Sequence, residues 1–87
     1  MAPLHLAAEQ GHRDVVQTLV AGGAHVNVVN RRDDTPLHLA AGEGRLAVVE
    51  LLVARGANVN ARNASNRKPG ELAKDSKTRN ILLGKRV

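Results

Sequence analysis

Cysteine, phenylalanine, tyrosine and tryptophan are all missing from this 87-residue chain. Without cysteine there is no disulfide, no thiolate metal site and no cysteine nucleophile. Without aromatic rings there is no platform on which a base could stack. A core here has to be assembled from Ala, Val and Leu, whose small side chains pack closely but bury little area each. No apolar run reaches the length of a membrane span. The start, Met1-Ala2-Pro3-Leu4-His5, has neither the basic region nor the apolar stretch of a secretory leader, so a cytoplasmic or nuclear setting is expected.

Charge is unevenly placed. Residues 1–53 carry four Arg and six acids, a balance of −2. Residues 54–87 carry nine Lys or Arg and two acids, a balance of +7. That basic third is either the solvated end of a larger architecture or a surface for phosphate or acidic protein. With no aromatic residue and no recognition motif, nucleic acid is the less favoured ligand, and its binding would be weak and salt-dependent.

What the chain does have is a period. Pro3-Leu4-His5-Leu6-Ala7-Ala8 returns as Pro36-Leu37-His38-Leu39-Ala40-Ala41, and a worn copy follows at Pro69-Gly70-Glu71-Leu72-Ala73-Lys74. Residues 2–34 laid on 35–67 without a gap give 17 identities in 33. A fixed step of this size means stacked supersecondary units, each covering its neighbour's apolar face. The chain divides into one unit over 2–34, a second over 35–67 and a shortened capping unit over 68–87.

One unit can be read residue by residue. Thr35 is an N-cap and Pro36 suits the first helical position, where a missing N–H costs nothing. Leu37, Ala40 and Ala41 recur at helical spacing, and Gly42 and Gly44 stop the helix after two turns. Val48, Val49, Leu51, Leu52 and Val53 make a second helix so broadly apolar that two of its sides need cover. Gly56 ends it. An extended stretch follows to Arg62, then a turn in which Asn66 takes positive φ.

The residues Thr35-Pro36-Leu37-His38-Leu39-Ala40-Ala41, Gly44, Val48 to Val53 and Gly56-Ala57-Asn58-Val59-Asn60 resemble a near-consensus ankyrin repeat, and the likeness runs over nearly the whole chain. It implies an all-α solenoid of stacked helix-turn-helix units with β-hairpin fingers, and protein–protein recognition through fingers and concave face. Carried over by position, it implies partner contacts at Val29, Arg31, Arg32 and Asp34 on the first finger and at Arg62, Ala64, Ser65 and Arg67 on the second. Glu9, Gln10, Gly42, Glu43, Asp75 and Ser76 would add contacts from the ends of the first helices. Four of eight finger positions are Arg, which holds carboxylates bidentately, so an acidic partner segment is expected.

Departures from the pattern are informative. Asp33 stands where the finger turn carries Gly, which predicts local strain. The capping unit has Glu71 in place of His and Lys68 in place of Thr. At the other end, Val15, Val16 and Leu19 are expected to show apolar surface. The first unit is therefore read as a piece of a longer array, or else as an end through which copies associate.

Sharper motifs give way to plainer readings. Gly42-Glu43-Gly44-Arg45-Leu46-Ala47 matches a dinucleotide fingerprint, but a helix and not a buried strand precedes it. His5 and His38 recur once per unit without carboxylate or thiolate partners, so they are read as bonding within the stack and not as metal ligands. His25 is expected in solvent. Asn63-Ala64-Ser65 is a glycosylation sequon without a secretory leader. Asn27 and Asn60 fall at the spacing seen in repeats that resemble asparaginyl hydroxylase substrates; bonding of the loop backbone is the simpler role. No nucleophile–base–orienter set is present, so no enzyme and no cofactor are expected.

Overall fold

The computed structural model describes residues 1–84; Lys85 and Arg86 of the basic third lie outside them. Five α-helices and one 3₁₀ turn follow in order: α1 Pro3–Glu9, α2 Arg13–Ala21, α3 Pro36–Gly42, α4 Leu46–Ala54, the 3₁₀ turn Pro69–Leu72, and α5 Ser76–Leu83. Each α1/α2-type pair packs as a hairpin. The first members, α1, α3 and the 3₁₀ turn, stack side by side as one layer.

Local chemistry sets the boundaries. Thr35 caps α3, its hydroxyl accepting the His38 N–H at 3.3 Å, and Pro36 occupies the first turn. Ala2 stands at the same place before α1 and offers no side-chain cap. Gly11 and Gly44 follow the first helices at φ +74° and +70°, values that favour glycine, and let the chain reverse into α2 and α4.

The core is one cluster of small aliphatics. Leu4, Ala7 and Ala8 of α1 meet Leu37, Ala40 and Ala41 of α3, with Val16 of α2 and Val48, Val49, Leu51 and Leu52 of α4 behind them. Alanine at the facing positions brings the helix backbones close, which suits a core without rings. The α4 helix is covered on two sides, as its breadth of apolar residues requires. Val16 departs from expectation: it is fully buried, because it faces α4 and not the end of the stack. Val15 keeps 47 % of its surface exposed and Leu19 is half-buried.

The fingers also depart from expectation. No strand forms among the described residues. Each finger is a tight loop closed by its own Asn. Asn30 Oδ1 accepts from the Arg32 and Asp34 N–H groups at 2.9 and 3.0 Å, and Asn63 Oδ1 does the same for Ser65 and Arg67, both at 3.0 Å. Those N–H groups are then spent inside the loop and cannot build a ladder. One backbone bond joins the loops, Ala64 N–H to Arg32 C=O at 2.8 Å. Asp33 and Asn66 hold φ of +59° and +62°, the left-handed turn that their positions demand.

Candidate functional site

Three side chains fix the fingers to the helices. His38 lies fully buried in α3. Its Nδ1 accepts the Thr35 N–H at 3.0 Å and lies 2.9 Å from the Thr35 hydroxyl. That leaves Nε2 to donate to the Arg67 carbonyl at 2.8 Å, at the foot of the second finger. His5 repeats this for the first finger, with Nε2 2.8 Å from the Asp34 carbonyl and Nδ1 accepting from Ala2 at 3.3 Å. Both histidines are thus struts within the stack.

Glu71 takes the third histidine's place. Its Oε1 accepts the Lys68 N–H at 2.8 Å, as His38 Nδ1 does from Thr35. Its carboxylate then turns back on the second finger, 3.8 Å from both Arg62 and Arg67. The Lys68 N–H beside it, with smaller help from Arg62, Arg67 and Lys68 charges, holds the Glu71 carboxyl below the usual range against the cost of its partial desolvation. Arg62 also donates to the Asn66 carbonyl at 3.0 Å.

The expected partner residues therefore fall into two groups. Arg62 and Arg67 are exposed but tied to Glu71, and the tip between them is the neutral Ala64-Ser65. Arg31 and Arg32 form an exposed tip on the first finger, and neither makes an ion pair among the described residues. Val29 is exposed beside them. Asp34 is corrected from outward contact to internal support. It is only 7 % exposed, and its Oδ1 accepts from Asn63 Nδ2 at 2.8 Å, because the second finger folds down over it.

Asp75 is likewise occupied. It caps α5, accepting the Thr78 N–H at 2.8 Å. The Thr78 hydroxyl is buried and short of a properly formed hydrogen bond. That hydroxyl, then the Thr78 N–H and the Lys77 charge, hold the Asp75 carboxyl below its usual range, against partial desolvation. The N–H bond has the good geometry and carries the cap. Glu43 is exposed just after α3, and Gly42 is half-buried against the capping unit, with the Leu72 carbonyl the nearest neighbour a Cβ would meet.

Between the first finger and the helices opens a cleft of about 330 Å³. Arg31, Arg32, Asn30 and Asp34 line its finger side; Glu9 of α1, Leu39 of α3 and Met1 line the rest. Leu39 was not among the expected contacts. Its signal was available: it falls off the Leu37–Ala40–Ala41 stripe, and its equivalent Leu6 is 47 % exposed. Among the described residues no group of three or more His, Asp or Glu could hold a metal, and no helix is long and apolar enough to cross a membrane.

The repeated strut, helix pair and finger have a counterpart among known families. A family model of ankyrin repeats in three copies matches residues 1–63. The chain belongs to the ankyrin repeat family. Ankyrin repeats are generally protein–protein interaction modules. Asn27, equivalent to Asn60, accepts the Asn58 N–H of the next repeat at 2.8 Å, the backbone-bonding role expected of it. Asn63 of the sequon closes its own ankyrin finger through its oxygen and reaches Asp34 of the first finger through its nitrogen. His25 lies exposed in its loop.

Proposed function

We propose that this ankyrin domain binds an acidic segment of a partner protein, without catalysis, along the first finger and the concave cleft beneath it. The carrying observation is the Arg31-Arg32 tip. Both guanidinium groups are exposed, unpaired among the described residues, and line a concavity. Arginine presents a planar fork to carboxylates and is common at binding hot spots. The second finger supports the reading by contrast, since its two arginines already hold the Glu71 carboxylate.

The test is an affinity capture from cells with nuclease added, comparing wild type with Arg31→Glu/Arg32→Glu. A protein bound by wild type, indifferent to nuclease and weakened more than tenfold by the double variant supports the reading. Unchanged capture by the variant sinks it. A signal lost on nuclease treatment moves the function to nucleic acid and to the exposed Lys74, Lys77 and Arg79 of the capping unit.

A further inference from the structure

The cleft that the first finger overhangs is not uniformly basic. Its finger side carries the exposed Arg31 and Arg32 beside Asp34, whose buried carboxylate is held by Asn63, and its helix side carries Glu9, the last residue of α1. The Glu9 carboxylate makes no ion pair among the described residues. The cation that reaches it from the next repeat, Arg45, donates Nε to the Glu9 carbonyl at 3.0 Å and not to the carboxylate. Glu9 is half-buried against the cleft, so its charge is less screened than a fully solvated one. Leu39 adds apolar surface to the same concavity.

We infer that this cleft selects a partner segment of mixed charge: a carboxylate for Arg31 and Arg32, an aliphatic side chain for Leu39, and a cation for Glu9. The inference rests on the acidic-segment reading and narrows it. A run of carboxylates alone is drawn to the finger but repelled at Glu9, and that repulsion discriminates between acidic partners of equal net charge. The cleft, at about 330 Å³, lies at the small end of ligand pockets. It takes one or two side chains of a macromolecule, and affinity must come from the rest of an extended segment lying along the repeats. The second finger offers a weaker choice, because Glu71 already offsets one of its two arginine charges from within the chain.

Selection of a displayed random-peptide library on the immobilised full chain tests this. Three baits are used: wild type, Glu9→Lys and Arg31→Glu/Arg32→Glu. Glu9 closes α1, where Lys favours the helix end, so Glu9→Lys keeps the fold. Wild type is expected to enrich peptides that combine Asp or Glu with Lys or Arg. Glu9→Lys is expected to lose the basic residue and keep the acidic one. By fluorescence anisotropy, Glu9→Lys should weaken an enriched mixed peptide and strengthen its Lys→Glu counterpart, each by roughly two- to fivefold, the scale of one partly exposed charge pair.

Peptides that are acidic throughout and bind Glu9→Lys no differently overturn the mixed-charge inference but leave the acidic-segment reading standing. Peptides without an acid, or the same peptides on Arg31→Glu/Arg32→Glu, overturn the acidic-segment reading itself. No enrichment above the heat-unfolded chain overturns both.

Discussion

Asn63 Nδ2 donates to the Asp34 carboxylate across 2.8 Å, and so one finger is fastened to the next by a side-chain bond between residues 29 positions apart. Asn63 also closes its own loop through Oδ1. One carboxamide thereby shapes a finger and sets its spacing from its neighbour. The first prediction follows. Asp34→Ala leaves the Asn63 N–H group without its acceptor and should lower stability by about 1–2 kcal/mol in urea unfolding. Arg31→Ala, on the exposed tip, should stay within about 0.5 kcal/mol of wild type. Equal midpoints for Asp34→Ala and wild type would remove Asp34 from the scaffold.

His38 carries the second prediction. It joins the start of its own helix to the foot of the finger 29 residues on, and it is completely buried. His38→Ala leaves a cavity and strands both the Thr35 N–H and the Arg67 carbonyl. A loss of about 2–4 kcal/mol is expected. Thr35→Ala removes one cap from the same cluster and should cost about 1 kcal/mol. The two share partners, so the double variant should lose less than the sum. Strict additivity would show that the strut and the cap act separately.

Much of this architecture is legible before any coordinates, and the reason is periodicity. Helix starts, helix stops and the core stripe each leave a local signal, repeated at Pro3 and Pro36, Gly11 and Gly44, Leu4 and Leu37. The role of His5 and His38 is legible because identical residues without ligand partners point inward. What stays hidden is how side chains settle between units. The strand-like fingers fold as Asn-closed loops, since Asn30 and Asn63 take the N–H groups a ladder would use. Four finger arginines look equivalent in sequence. Only the turn of Glu71 back onto Arg62 and Arg67 separates them from Arg31 and Arg32. Asp34 reads as an exposed acid until the second finger is seen lying over it.

Acid should loosen the capping unit first. Glu71 and Asp75 both titrate below their ordinary range when folded, so the folded chain binds fewer protons there than the unfolded one. Their contribution is complete above the ordinary carboxylate range and fades as pH falls through and below it. Amide hydrogen exchange is the measurement. Between about pH 5 and pH 3, protection in α5 and at Glu71 should fall before protection in α3 and α4 does. Glu71→Gln with Asp75→Asn should flatten that dependence. Simultaneous loss across all helices would place the acid sensitivity elsewhere.

Gly70 occupies the place that Leu4 and Leu37 hold in the earlier repeats, and Leu83 of α5 fills the space a side chain there would need. A Cβ on Gly70 would come within 2.6 Å of Leu83 Cδ2, 2.7 Å of its Cγ and 3.2 Å of Leu82 Cβ. The cap therefore replaces a core leucine from one helix with one from the next, across a shortened 3₁₀ turn. Gly70→Ala forces Leu83 to move and should cost about 1–3 kcal/mol, the range for overpacking. Leu83→Ala alone loses the half-buried side chain. Combined, the added methyl enters the vacated space, so the double variant should be more stable than the sum of the single losses by about 0.5 kcal/mol or more. Chemical denaturation of the four proteins decides it. An additive cycle would mean that Gly70 and Leu83 do not compete for one site.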